Sequence, residues 1–132
     1  MAWLPQLTRW VRRRAGFRGA FLALLGAIDV LVGVYLLIAD LPPAPHVILT
    51  DELIWGYTWI GIGTFLFTGV LASRDGMHFA AAALLKTAWA AEFVWLAVFG
   101  DARPQFGLLA AGWVLVAATV VLIASQPEKP KR

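Results

Sequence analysis

Three ionisable side chains, Asp29, Lys86 and Glu92, fall inside long apolar runs, where a charge is hardest to keep. Each placed alone at the centre of a bilayer costs about 2.5–3.5 kcal/mol on insertion scales, so residues of this kind pair with one another or serve as proton-linked groups. Little else in the chain suggests chemistry. There are no cysteines, which excludes disulfides, thiolate metal ligands, iron–sulfur clusters and a cysteine nucleophile. No Ser/His/Asp arrangement or glycine-rich phosphate loop is visible. The expectation is a non-enzymatic protein with no cofactor and no metal.

The elements that must hold these residues follow from composition. Of 132 residues, 61% are hydrophobic and only 14% charged, with a mean hydropathy of +0.76. A soluble domain averages about 45–50% apolar and about 25% charged, and one this small has too little interior for the excess. Lipid is the natural solvent for it. Four segments approach the ~20 residues that a helix needs to cross a bilayer, at about 20–39, 53–72, 79–99 and 106–124. Helices are required there, because an open strand would leave backbone groups unpaired in hydrocarbon. A barrel is excluded by the lack of period-2 alternation. The expected fold is an all-α integral membrane protein, a four-helix transmembrane bundle. A basic N-terminal segment (1–19) precedes the bundle (20–124), and a basic tail (125–132) follows it.

The connectors are short. "DLPPAPHVILTDE" (40–52) carries three prolines, which stop a helix, while "SRDGMH" (73–78) and "GDARPQ" (100–105) read as turns. Basic residues divide unevenly between the two faces. Arg9, Arg12, Arg13, Arg14, Arg18, Arg74, Lys129, Lys131 and Arg132 make nine on one side, against Arg103 alone on the other. The positive-inside rule then places both termini in the cytoplasm. His46 and His78 fall in connectors on opposite faces and cannot share a metal. The net charge of +3 and pI of about 9.8 report on orientation, since no basic stripe suited to nucleic acid is present. The first apolar run is too long for a signal peptide and reads as an uncleaved anchor.

Within "LTRWVRRRAGF" (7–17) and just before it, Trp3, Leu4, Leu7, Trp10 and Val11 recur at mostly three- and four-residue spacing. Such a segment either lies on the membrane as a basic interfacial helix, its arginines on anionic headgroups, or only sets topology. Trp55, Trp59, Trp95 and Trp113 suit bilayer interfaces or packing between helices.

Depth sorts the three buried charges. Asp29 lies about 12–14 Å into its span and Lys86 about 11 Å into its own, at ~1.5 Å per residue, and both helices run outward from the cytoplasm. An Asp29–Lys86 ion pair is therefore expected if helices one and three touch; otherwise the Lys86 stem snorkels to the interface. Glu92 lies about 9 Å further out, at the depth of Tyr35, Tyr57 and Thr58. It is read as a polar contact between helices, or as a proton-linked carboxyl. Alanines at 80–83, 88, 90 and 91 and the glycines of "GIGTFLFTG" (61–69) allow close helix approach, although no strict G-x-x-x-G is present.

The stretches "RRRAGFRGAFLALLGAIDVLVGVYLL" (12–37), "WGYTWIGIGTFLF" (55–67), "FAAAALLKTAWAAEFVWL" (79–96) and "VLIASQPE" (121–128) form a recognisable order of features. It resembles that of small membrane proteins from phages and prophages of actinobacteria. The resemblance implies a membrane protein, in some cases holin-like, and identifies no catalytic residue. The function expected is self-association in the inner membrane, holin-like in host lysis. The alternatives are an accessory or scaffold subunit of a membrane assembly, including a block to superinfection, or a small proton-coupled exporter using Asp29. Against the exporter, Lys86 would compete with the proton for the Asp29 carboxylate. Expected partners are the lipid bilayer and a second copy or another membrane protein.

Overall fold

The computed structural model describes residues 4–39, 52–72, 74–99 and 104–127. It is all-helical in those residues, with α1 (Leu4–Ile38), α2 (Glu52–Gly69), α3 (Gly76–Phe99) and α4 (Pro104–Ser125). The proline-rich connector with His46, residues 100–103 and the tail from 128 lie outside the described residues, as do the side chains of Arg12, Arg13 and Arg14.

Each helix has a local reason for its bounds. α1 is continuous from Leu4 except at Gly16, whose φ of 68° and ψ of −173° are not helical. This backbone region is open essentially to glycine alone, so two helical pieces, 4–15 and the apolar 17–38, meet there. The Asp75 carbonyl starts α3 by accepting from the backbone N–H groups of His78 (3.0 Å) and Phe79 (3.1 Å). His78, expected in a connector, thus lies in the first turn of α3. Alanine, the strongest helix former, then fills 80–83. Pro104 opens α4, where its fixed φ is compatible and its missing N–H costs nothing.

Among the described residues three helical stretches are long and apolar enough to cross a membrane: Gly16–Ile38, Gly76–Phe99 and Gln105–Ser125. The fourth expected span, α2, falls short by composition. Its 18 residues include two tryptophans, a tyrosine, three threonines and four glycines in place of aliphatic side chains. Of these, Trp55, Trp59, Gly56, Gly63 and Gly69 are buried in packing. Thr58, Thr64 and Thr68 donate to the carbonyls of Ile54, Ile60 and Phe65, at 2.7–2.8 Å, so their hydroxyls are satisfied within the helix.

α1 and α2 form one antiparallel hairpin and α3 and α4 another; the hairpins meet chiefly through α2 and α3. Two glycine pairs set the first hairpin. A Cβ on Gly26 would stand 2.8 Å from the Gly63 carbonyl oxygen, and one on Gly33 would stand 2.6 Å from that of Gly56. Both helices repeat glycine every seven residues, which keeps the contact on one seam. All four helices contribute to a core of Leu22, Leu25, Leu66, Phe79, Ala82 and Val120. A second layer centres on Trp55, Trp59 and Leu85.

Candidate functional site: a buried ion pair under a tryptophan cluster

Asp29 sits on α1 between Gly26 and Gly33, on the stretch that α2 approaches most closely, and is 0% exposed. Lys86 sits on α3 one residue beyond the core Leu85 and is 1% exposed. The Lys86 ammonium donates to Asp29 Oδ1. It also stands 4.8 Å from the centroid of the Trp59 ring, which is itself 0% exposed. A cation over a desolvated indole gains ~2 kcal/mol, so Trp59 shares with Asp29 the task of stabilising the ammonium. The second carboxylate oxygen, Oδ2, has no hydrogen-bond partner among the described residues.

The tryptophans form a connected group beside the pair. Trp89 meets Trp55 edge-on at 4.7 Å and Trp59 at 5.6 Å, and Trp113 of α4 leans on Trp59 at 5.3 Å. Edge-to-face pairs of this kind add ~0.5–1.5 kcal/mol each beyond burial. Trp55 and Trp59 therefore pack between helices, whereas Trp95 is 38% exposed. Trp89 and Phe93, beside Phe106, extend the aromatic contacts towards the start of α4.

Glu92 lies further along α3. It is half-buried and lines an open groove of about 410 Å³ with Ala88, Ala91, Val94, Trp95 and Phe99, a lining otherwise apolar. Of the hydroxyls expected at its depth, Tyr35 and Tyr57 are exposed and Thr58 donates to its own helix.

A second ion pair, absent from the expectations, closes one end of the bundle. Arg18 grips Asp75 with both arms, Nε to Oδ2 at 3.0 Å and Nη2 to Oδ1 at 2.5 Å. Its remaining nitrogen, Nη1, donates to the Gln126 carbonyl at 2.8 Å, and the guanidinium lies 5.0 Å from the Phe79 ring centroid. The start of the first apolar helix, the connector before α3 and the end of α4 therefore share one end. Arg18 thus stands apart from the exposed Arg9, with which the sequence groups it. Arg9 donates from Nε to the Pro5 carbonyl. The signal that could have found Asp75 was available: it is the one acidic residue in a connector otherwise flanked by bases.

Nearby, His78 Nε2 lies 3.0 Å from the Thr68 hydroxyl, and the ring stacks on Phe65 at 4.4 Å. No group of three or more metal-ligating side chains occurs among the described residues. The buried pair joins α1 to α3.

The fold and site define an all-helical, membrane-spanning type of bundle with an internal charge pair. No protein-family model matches the chain, and neither curated proteins nor solved structures show a significant match to it.

Proposed function

We propose that this chain is a multi-pass protein of the bacterial cytoplasmic membrane that acts by self-association and not by catalysis, most concretely as a holin-like factor in host lysis. In this reading α2 is the fourth span, both termini are cytoplasmic, and the end closed by Arg18 and Asp75 faces inward. The asymmetry of nine basic residues against one supports that orientation.

The observation that carries the reading is an open groove of about 570 Å³ between the outer halves of α3 and α4, lined by Val94, Ala97, Gly107, Ala110, Ala111 and Val114 among others. Small residues let a neighbouring helix backbone approach closely, which is how association works in lipid, where apolar surface alone supplies no drive. Meanwhile Asp29 and Lys86 are turned inward, and large apolar side chains are exposed on all four helices. The resemblance to phage and prophage membrane proteins supplies the holin-like form.

Controlled expression in a bacterium with a voltage-sensitive dye tests it. Collapse of the membrane potential at a reproducible time, with homo-oligomers on cross-linking, is expected. Ala111→Trp, which fills the groove, should delay or abolish both. Normal growth with an intact potential and a cross-linked monomer would overturn the proposal. A stoichiometric partner on purification in mild detergent would instead favour an accessory subunit.

A further inference from the structure

The N-terminal piece of α1 is set off from the bundle by two independent features. Gly16 breaks the helix with a positive φ, and a Cβ there would meet nothing within 4 Å. The glycine is therefore demanded by backbone conformation and not by space. Two residues later the Arg18 clamp to Asp75 and Gln126 fixes the start of the apolar helix at the end of the bundle. The chain changes direction where its composition changes from basic to apolar.

Residues 4–15 are helical, and at about 100° per residue their register separates two kinds of position. By sequence register Leu4, Leu7 and Val11 recur on one side and Arg9, Arg12 and Arg13 on the other, with Arg14 falling beside Leu7 at the edge of the apolar side. In the structure Pro5, Gln6 and Arg9 are exposed. A short helix with an apolar side, a basic side and a hinge at the membrane end of the bundle has the chemistry of an interfacial anchor. Juxtamembrane arginines are drawn to the negative surface of an anionic leaflet.

From the hinge and the register we infer that residues 4–15 form a surface helix lying on the cytoplasmic leaflet, its arginines bound to anionic lipid headgroups, with Gly16 as the corner between surface and span. The inference rests on the membrane-spanning reading and its orientation. It identifies the lipid as a specific partner of this segment, because a helix continued straight through residue 16 would carry its arginines away from the headgroups.

Amide hydrogen exchange of the full chain tests it, after reconstitution into vesicles of phosphatidylcholine alone or with one third phosphatidylglycerol. Exchange over 4–15 should slow severalfold with the anionic lipid, and the effect should fade as salt screens the charges. The double variant Arg12→Gln/Arg13→Gln should lose it, as should Gly16→Ala, in which the corner is strained. Equal exchange over 4–15 in both lipids would overturn the inference. Slow exchange over 20–38 in every vesicle keeps the two readings separable: fast exchange there would fault the membrane-spanning reading itself.

Discussion

Lys86 reaches Asp29 across two helices whose backbones scarcely approach each other, in a bundle where α1 lies against α2 and α3 against α4. The ion pair is thus a tie between hairpins, made by the length of one lysine. Breaking a buried pair strands the remaining charge, which costs ~3–5 kcal/mol, whereas replacing both partners with apolar residues is often neutral or better. Asp29→Asn and Lys86→Met should each destabilise the purified protein by about that amount. The double variant Asp29→Leu/Lys86→Met should recover most of the loss. Unfolding in mixed micelles measures all three, and simple additivity of the single losses would show that the residues act apart.

The glycine seam makes a prediction that discriminates between positions of one residue type. At Gly33 and Gly63 a new Cβ would meet backbone, 2.6 Å from the Gly56 carbonyl and 2.8 Å from that of Gly26. Backbone on the facing helix cannot rotate away, so the hairpin must open. Gly33→Ala and Gly63→Ala should cost ~1–3 kcal/mol, the usual penalty of overpacking. At Gly61 and Gly112 a Cβ meets nothing within 4 Å. There the change to alanine should be neutral or stabilising by up to ~1 kcal/mol, because alanine is the better helix former. Thermal stability of the four variants in one detergent checks the ordering.

Arg18 and Asp75 are mostly covered, with side chains 15% and 11% exposed. Their contribution should fall between that of an open surface pair, ~0–1 kcal/mol, and a fully buried one. Arg18→Lys keeps the charge but loses the two-armed grip and the reach to Gln126. A loss of about 1–2 kcal/mol is expected for Arg18→Lys and for Asp75→Asn, with the combined variant little worse than either. Full additivity, read from melting curves, would deny the clamp.

Length of apolar run was enough to locate four helical segments, and counting residues from the same end of two spans was enough to set Asp29 beside Lys86. Both inferences use one dimension, distance along a helix axis. What stayed hidden depends on rotation and on partners. The glycines at 26, 33, 56 and 63 are in plain view, but their seven-residue spacing gains meaning only when two helices are laid antiparallel. Asp75 reads as a turn residue until Arg18 arrives from 57 positions away. The tryptophans of α2 suggested an interface as well as packing, and only the meeting of Trp55 and Trp59 with Trp89 decides between them. The shortfall of α2 was legible in its own threonines and glycines, which run length alone does not weigh.

His78 supplies the last prediction, because its ring occupies space that Gly69 leaves open. A Cβ on Gly69 would stand 2.5 Å from His78 Cγ, and the ring also stacks on Phe65 at 4.4 Å. The Thr68 hydroxyl gives its proton to the Phe65 carbonyl at 2.7 Å, so towards His78 Nε2, at 3.0 Å, it can only accept. Gly69→Ala must expel the ring from that stack and from that hydrogen bond together, at a cost of ~1–3 kcal/mol. With His78→Ala already present, the obstacle is gone and the same substitution should cost far less. A double-mutant cycle on unfolding free energies reads the difference directly. Equal costs of Gly69→Ala in both backgrounds would mean that the ring does not fill the space beside Gly69.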